Sequence, residues 1–242
     1  LEQEILHEGP EYVAAFIAEP VMQGDGAQVP PGDYFKKVRA ICDKYGVLLI
    51  ADEVITGFGR TGKWFAMEHW GVQADIMSTA KAITGGYSPL GASTVTQKVA
   101  DTLPIFSHLQ TYQGHPASCA AGLATIDYIE QNNLISQGAK NGAYLLEQMQ
   151  RLRDLPIVGD VRGLGMWTCI DFTQDKQTKK PLEEGSVKSM VNRCLDMGVL
   201  VGEEGTAIEL SPPFIATRDE LDTCVDTLEK AIIAEAKDKG LS

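Results

Sequence analysis

Short apolar runs alternate with a helical pattern along the first hundred residues of the chain. Residues 13–18 and 47–51 are continuous apolar runs, typical of strands that are buried on both faces, and 74–79 is a third, weaker run. Between the first two, residues 34–45 carry apolar side chains at helical spacing, and Gly46 ends the predicted helix. Strand, helix and strand in this order predict a right-handed crossover and a mostly parallel sheet.

The pattern changes after residue 116, where the strands become irregular and the helices longer. Residues 116–131 predict a buried, alanine-rich helix and residues 136–153 an amphipathic one. The remaining predicted elements are an irregular antiparallel strand over 158–172, a polar loop over 174–181, a helix over 187–197, short strands over 199–201 and 207–210, and a last helix that opens with a capping box at Thr217 and runs to about Lys239. We therefore predict an α/β protein with a large domain over 1–145 and a smaller α+β domain over 146–242.

Composition and charge exclude several classes of partner. The 242 residues include 21 Lys and Arg against 33 Asp and Glu, so the net charge is −12, which disfavours binding to nucleic acid or to an anionic membrane surface. No apolar run approaches the roughly 20 residues that span a bilayer. The five cysteines and four histidines show no metal-ligand spacing and no C-x-x-C pair. These features predict a cytoplasmic protein without a metal site.

Three charged residues each follow a predicted strand, and parallel strands place such residues at one crevice. Lys81 stands between an apolar strand and a glycine-rich turn, which predicts partial desolvation, a lowered pKa and an amine able to attack a carbonyl. Asp52 ends a strongly apolar run, where a protonated pyridine nitrogen would be a suitable partner. The third residue is Glu19. The alternatives are an ordinary surface lysine and an aspartate that caps its own turn.

A literal G-x-G-x-x-G runs from Gly57 to Gly62, and Asp75 follows at the distance expected for a dinucleotide-binding fold. However, five residues separate these glycines from the strand. Asp52 and Glu53 would also repel a pyrophosphate at that place. The motif is therefore interpreted as a loop beside the crevice.

Three segments carry a resemblance to a known family: IAEPVMQGDGAQVPPGDYFKKVRAICDKYGVLLIADEVITGFGRTG, ADIMSTAKAITGGYSPLGA and TYQGHPASCAAGLATI. From about Val13 to its C-terminus the chain resembles the class III pyridoxal-phosphate (PLP)-dependent aminotransferases. The resemblance implies a fold type I homodimer with active sites at the subunit interface. It also implies that Lys81 forms the internal aldimine and shuttles a proton, that Asp52 pairs with the pyridine nitrogen, that Val54 packs on the ring, and that Thr111 reaches the cofactor phosphate of the neighbouring subunit.

Departures from the family pattern bear on the substrate. Ile55 stands where relatives acting on GABA or ornithine carry glutamine, which points to the ω-amino acid:pyruvate, taurine:pyruvate or diamino-acid branches. Glu209 stands where many relatives have an arginine that binds a substrate carboxylate, and a glutamate cannot do this without a proton or a counter-cation. Arg60 and Arg162 are the alternatives for that task. The resemblance also suggests that Glu19 positions a substrate-binding arginine.

These features together predict a transaminase that moves an amino group from an ω-amino acid or amine donor to a 2-oxo acid such as pyruvate. The alternatives are an aminomutase or decarboxylase on the same fold, and a fragment that lacks activity. The fragment is suggested by Leu1 in place of an initiator methionine. It is also suggested because the family's glycine- and serine-rich phosphate loop and its ring-stacking aromatic residue are not visible in this sequence.

Overall fold

Four strands form a mixed sheet in the order β1-β2-β3-β4. They are β1 (Ala15–Ala18), β2 (Leu48–Asp52), β3 (Ile76–Thr79) and β4 (Ala92–Val95). The pairs β1–β2 and β2–β3 are parallel and β3–β4 is antiparallel, which confirms the predicted mostly parallel sheet. The serine- and threonine-rich β4 has no apolar run in its sequence and was not predicted.

This computed structural model describes residues 1–24, 26–105 and 107–241. They form two compact units. The first unit comprises Leu1–Pro20, Pro30–Gly59 and Lys63–Ile135, and the second comprises Val21–Val29, Arg60–Gly62 and Ser136–Ser242. From Ser136 onward the chain belongs to the second unit. The domain boundary predicted after residue 145 stays a prediction.

Helices and short 3₁₀ turns complete the first unit. The helices are α1 (Glu2–Glu8), α2 (Tyr34–Tyr45), α3 (Gln97–Ala100) and α4 (Pro116–Gln131), and the 3₁₀ turns are Pro10–Tyr12, Ala66–His69 and Lys81–Thr84. The predicted helix over 34–45 is confirmed. Its buried side chains are Phe35, Val38 and Cys42, and Gly46 ends it in the left-handed region with φ 69°.

Two expectations about burial in the first unit are wrong. The strand β1 is not buried on both faces, because α2 packs on only one face of the sheet and Ile17 on the other face is 58% exposed. The helix α4 is not a buried helix either. It packs by one side on the 3₁₀ turn Lys81–Thr84 and leaves Leu123 and Tyr128 exposed. Apolar composition predicts which surfaces favour an apolar environment, and within the described residues these surfaces of β1 and α4 are exposed.

The second unit contains an antiparallel sheet in the order β5-β6-β8-β7. Its elements are α5 (Leu134–Gln150), the 3₁₀ turn Arg151–Asp154, β5 (Val158–Gly163), β6 (Thr168–Phe172), α6 (Ser186–Asp196), β7 (Gly202–Glu204), β8 (Ala207–Leu210) and α7 (Arg218–Asp238). Val161, Ile170 and Ile208 lie in one row of the sheet and are buried in the core of this unit. The predicted strand over 158–172 is thus two strands, β5 and β6.

The capping box predicted at the start of the last helix is confirmed. Glu220 N donates to the Thr217 hydroxyl, and Thr217 N donates to the Glu220 carboxylate. The strand predicted over 199–201 is wrong, because these residues connect α6 to β7 and the ladder with β8 begins at Gly202. Val199 and Val201 are buried while Leu200 is exposed, so their alternation reflects packing and not strand pairing.

Candidate active site

The carboxyl ends of β1, β2 and β3 lie at one edge of the first sheet. Ala18 pairs in register with Ala51, and Asp52 pairs with Ser78. Glu19 directly follows β1, Asp52 is the last residue of β2, and the chain leaving β3 reaches Lys81 two residues after the strand ends. The edge therefore carries charged side chains from three neighbouring strands, which is where open α/β sheets bind their ligands.

Asp52 is half-buried and takes part in a local turn. Its Oδ1 accepts a hydrogen bond of 3.1 Å from the backbone N–H of Val54. This is the turn-capping role considered above as the alternative. In the described part of the chain, no donor contacts Oδ2, so this oxygen remains available to a ring N–H. The local role and the cofactor role are therefore compatible.

Lys81 begins a 3₁₀ turn and has a left-handed backbone with φ 46°. For a non-glycine residue this conformation costs about 1–3 kcal/mol, and such strain concentrates at functional sites. The turn is fixed by hydrogen bonds from Ile83 N to Ala80 O and from the Thr84 hydroxyl to Ser88 O.

The expected desolvation of Lys81 is wrong, since the residue is exposed in this unit. The strand ends two residues earlier and Gly85 and Gly86, which are also exposed, follow the turn, so no apolar side chains enclose the amine. Among the described residues, no carboxylate forms an ion pair with the Lys81 ammonium. The amine is thus available for chemistry.

The other predicted residues of this site lie at the ends of β1 and β2 and in the turn before α4. Val54 and Ile55 follow Asp52 directly and are half-buried. Glu19 is half-buried and has an interaction partner of its own. Thr111 lies in an exposed turn that precedes α4, and its hydroxyl is accessible. The roles assigned to these side chains toward a cofactor or substrate stay predictions.

Glu53 is a buried residue whose structural role sequence reasoning missed. It is fully buried, and its carboxylate accepts hydrogen bonds from the Thr56 hydroxyl at 2.5 Å, from Ala66 N at 2.8 Å and from Met67 N at 2.9 Å. Burial raises the pKa of this carboxyl, and the three hydrogen bonds oppose that rise. The sequence offered no signal for this role, because two of the donors lie 13 and 14 residues further along the chain.

In the second unit, Arg60 is engaged with its own surroundings. Its Nη1 donates to Met166 O at 3.0 Å and to Pro212 O at 2.8 Å, and the guanidinium lies 4.9 Å from the centre of the Phe214 ring. Burial lowers the pKa of Arg60. These contacts give Arg60 a packing role in this unit, and its role toward a substrate stays a prediction.

Arg162 and Glu209 lie on the same face of the second sheet, in a row that also contains Cys169. Arg162 Nε donates to Gly26 O at 2.7 Å, and its Nη1 lies 3.3 Å from carboxylate oxygens of Asp160 and Asp171. Glu209 is half-buried, and burial raises its pKa against hydrogen bonds from the Trp167 side chain and from the backbone of Ala27. Arg162 is thus paired with carboxylates of its own unit.

The described ranges contain neither a metal-ligand cluster nor a membrane-spanning helix. No group of three His, Cys, Asp or Glu side chains is placed to hold a metal ion in these ranges. Within the same residues, every helix is too short or too polar to cross a bilayer.

Comparison with known proteins gives a family match over nearly the whole chain. The model of the family described as "Aminotransferase class-III" matches residues 1–232. Among curated proteins, taurine–pyruvate aminotransferase of Bilophila wadsworthia is 40% identical over 257 residues, covering 100% of this chain and 56% of that protein. Gamma aminobutyrate transaminase 3, chloroplastic, of Solanum lycopersicum is 42% identical and covers 96% of this chain and 46% of its own length.

Solved structures show the same likeness in three dimensions. The amine transaminase from an uncultivated Pseudomonas species, in its PLP-bound form, superposes with a TM-score of 0.92 at 44% identity, covering 96% of this chain and 55% of that one. The fold is therefore that of PLP-dependent aminotransferases. The chain spans about half the length of the relatives that it matches.

Proposed function

The chain belongs to the class III aminotransferase family, and from this membership we propose that it carries the reactive lysine and the ring-nitrogen carboxylate of a PLP-dependent transaminase. The observation that supports this most is the placement of Asp52 and Lys81. Both lie at the carboxyl ends of paired parallel strands. Among the described residues, Asp52 Oδ2 accepts no hydrogen bond and the Lys81 amine forms no ion pair.

The residues present fit the cofactor. When bound, PLP supplies an aldehyde and an electron-withdrawing ring that stabilises negative charge on a substrate carbon. Lys81 Nζ is the nucleophile that would hold the aldehyde carbon and later move a proton to and from the substrate α-carbon. Asp52 Oδ2 would accept the ring N–H and keep the ring protonated, and Val54 would cover one face of the ring.

The proposed substrates are an ω-amino acid or amine donor and a 2-oxo acid acceptor such as pyruvate. The names of the relatives support this class, since one acts on taurine and pyruvate and another on gamma-aminobutyrate. Ile55, in place of glutamine, favours the ω-amino acid:pyruvate, taurine:pyruvate or diamino-acid branches over the GABA branch. Within the second unit, the pairing of Arg162 with Asp160 and Asp171 leaves the residue that binds the substrate carboxylate unassigned.

The test is to add PLP to the purified 242-residue chain, reduce with borohydride and locate the pyridoxyl group by mass spectrometry. We expect one pyridoxyl group per chain, on Lys81, and pyruvate-dependent consumption of an amine donor such as taurine. Amine consumption without pyruvate would instead indicate an aminomutase or decarboxylase. Failure to take up PLP would overturn the proposal for this chain.

A second candidate, favoured by one observation, is a scaffold that associates with further polypeptide but does not bind PLP alone. In the described part of the chain no strand pairs with the outer edge of β1, and Ile17 on this strand is 58% exposed. Edges of this kind recruit another strand. The PLP experiment separates this candidate from the first one.

We also propose a homodimer, because the first unit exposes a group of large apolar side chains. They are carried by α4 and by the segment before it, namely Leu109, Tyr112, Leu123 and Tyr128, with exposures of 88%, 83%, 65% and 61%. Thr111 lies within this group, which agrees with a role toward the cofactor phosphate of the neighbouring subunit.

Light scattering on the purified chain is expected to give the mass of two chains. The double variant Leu123→Glu, Tyr128→Glu is expected to raise the dimer dissociation constant at least tenfold, because charges would be buried without partners. The control is Leu200→Glu, at a leucine of the second unit that is also exposed, which should leave the mass unchanged. A dimer that survives the double variant would place the interface elsewhere.

A further inference from the structure

The buried carboxylate of Glu53 has no part in the chemistry proposed above, yet it follows Asp52 directly. It is fully buried, and its carboxylate accepts hydrogen bonds from the loop after β2 and from the 3₁₀ turn Ala66–His69 that follows this loop. Two of the three donors are the first backbone N–H groups of that turn, which a carboxylate stabilises well. One side chain therefore closes the loop from residue 53 to residue 67.

The backbone of Glu53 joins the same region to the strand that leads to Lys81. Its N–H donates to Ser78 O at 2.9 Å, and its carbonyl accepts from Gly57 N at 2.9 Å. Gly57 is packed against this carbonyl, since a Cβ at Gly57 would lie 2.8 Å from Glu53 O. Glu53 thus contacts β3, the turn after β2 and the far end of the loop, all within the first unit.

These contacts fix the conformation of the turn that carries the proposed cofactor ligands. The ladder with β3 continues to Glu53, whose N–H donates to Ser78 O, and successive side chains along a strand point to opposite sides, so an inward Glu53 side chain leaves Asp52 on the other side. Asp52 Oδ1 is in turn held by Val54 N. A shift of the turn would therefore move the Asp52 carboxylate and the Val54 side chain together.

We propose that Glu53 is a positioning residue of the cofactor site: its carboxylate anchors the Asp52–Val54 turn so that the Asp52 carboxylate meets the ring nitrogen of PLP. The inference rests on the proposed function and adds a residue to it. A carboxylate is required because its two oxygens accept from three donors. A glutamine offers one oxygen, and its NH₂ group would face a backbone N–H.

The test compares Glu53→Gln with the wild-type chain in three measurements. These are the dissociation constant of PLP, the pH midpoint of the absorbance change of bound PLP, and hydrogen exchange at the amides of Ala66 and Met67. We expect faster exchange at these amides and a PLP dissociation constant raised at least tenfold. We expect the pH midpoint to shift in the same direction as in Asp52→Asn, but by less, because the alignment of Asp52 with the ring nitrogen sets this midpoint.

Asp75→Asn is the matched control for a general loss of stability. The Asp75 carboxylate also accepts a backbone N–H, from Leu49 at 2.8 Å, and a side-chain donor, Arg39 at 2.7 Å, and it lies in the same unit at the opposite end of β3. This variant is expected to lower the melting temperature while leaving the PLP dissociation constant within twofold and the pH midpoint unchanged. Equal effects in Asp75→Asn and Glu53→Gln would overturn the positioning role.

A milder pair covers the case in which Glu53→Gln does not fold. Thr56→Val removes one donor to the carboxylate and is expected to raise the PLP dissociation constant about threefold, whereas Thr56→Ser keeps the donor and should restore wild-type binding. Normal PLP affinity and pH midpoint in Glu53→Gln, or in Thr56→Val if Glu53→Gln is unfolded, would overturn the inference and leave the proposed function standing. A wild-type chain that takes up no PLP would overturn the proposed function, and this inference with it.

Discussion

Replacement of Lys81 by alanine is expected to lower transamination by at least about 1000-fold, because this change removes both the nucleophile and the group that moves the proton at the substrate carbon. The variant should still fold, since Lys81 is exposed and forms no ion pair within the described residues. Rates of amine consumption with pyruvate, together with mass spectrometry after borohydride reduction, measure both effects.

The matched control for this prediction is Lys98→Ala. Lys98 is an exposed lysine of α3 in the same unit, and its replacement should leave the turnover and the pyridoxyl group on Lys81 unchanged. If Lys81→Ala kept the wild-type rate, or if the pyridoxyl group were found on another lysine, the assignment of the reactive amine would be wrong.

Replacement of Gly142 by alanine is expected to destabilise the second unit by about 3 kcal/mol or more, a cost at the upper end for an overpacked core. Gly142 lies on α5, where a Cβ would come within 2.2 Å of the backbone carbonyl carbon of Gly165. Gly165 cannot move away easily, because it is itself packed against the backbone of Thr61. A Cβ built on Gly165, whose φ is +63°, would lie 2.4 Å from the carbonyl carbon of Thr61. Thermal unfolding should show a midpoint lowered by about 10 °C or more.

Gly138→Ala is the control for this substitution in the same helix. A Cβ at Gly138 would lie 3.2 Å from the ring of Phe214, a half-buried side chain that can rotate, and alanine gains about 1 kcal/mol of helix propensity over glycine. We expect the free energy of unfolding of Gly138→Ala to differ from that of the wild-type chain by no more than about 1 kcal/mol. If Gly142→Ala and Gly138→Ala were equally stable, the backbone around Gly165 would be shown to move aside more easily than its contacts indicate.

The secondary structure that the sequence predicted well is the part determined by local chemistry. The helix α2 follows from the spacing of Phe35, Val38 and Cys42 and from the glycine that ends it, and the last helix follows from its capping box at Thr217. Such signals act over three or four residues and need no tertiary contact. The register of β2 against β3 confirmed that Asp52 and the chain leading to Lys81 share one edge.

Burial was predicted less well, because it depends on elements far away in the sequence. The apolar composition of α4 and β1 predicted that both would be covered, yet Leu123 and Ile17 are exposed in this unit. Likewise Lys81 was expected to be desolvated, but the turn that carries it is open. A local pattern states which residues favour an apolar environment, and it does not state which element supplies that environment.

The sequence by itself determined the family and the mostly parallel character of the first sheet, and it predicted the two residues on which the proposed chemistry depends. Lys81 and Asp52 could be predicted because reactive residues follow strands and because family motifs surround them. Only the tertiary structure decided that Glu53 turns inward and closes the loop to Met67, and that Arg60 and Arg162 are held by groups of their own unit. The physical reason is that a hydrogen bond or an ion pair joins groups by their distance in space, and separations of 14, 152 and 9 residues along the chain leave no common pattern in the sequence.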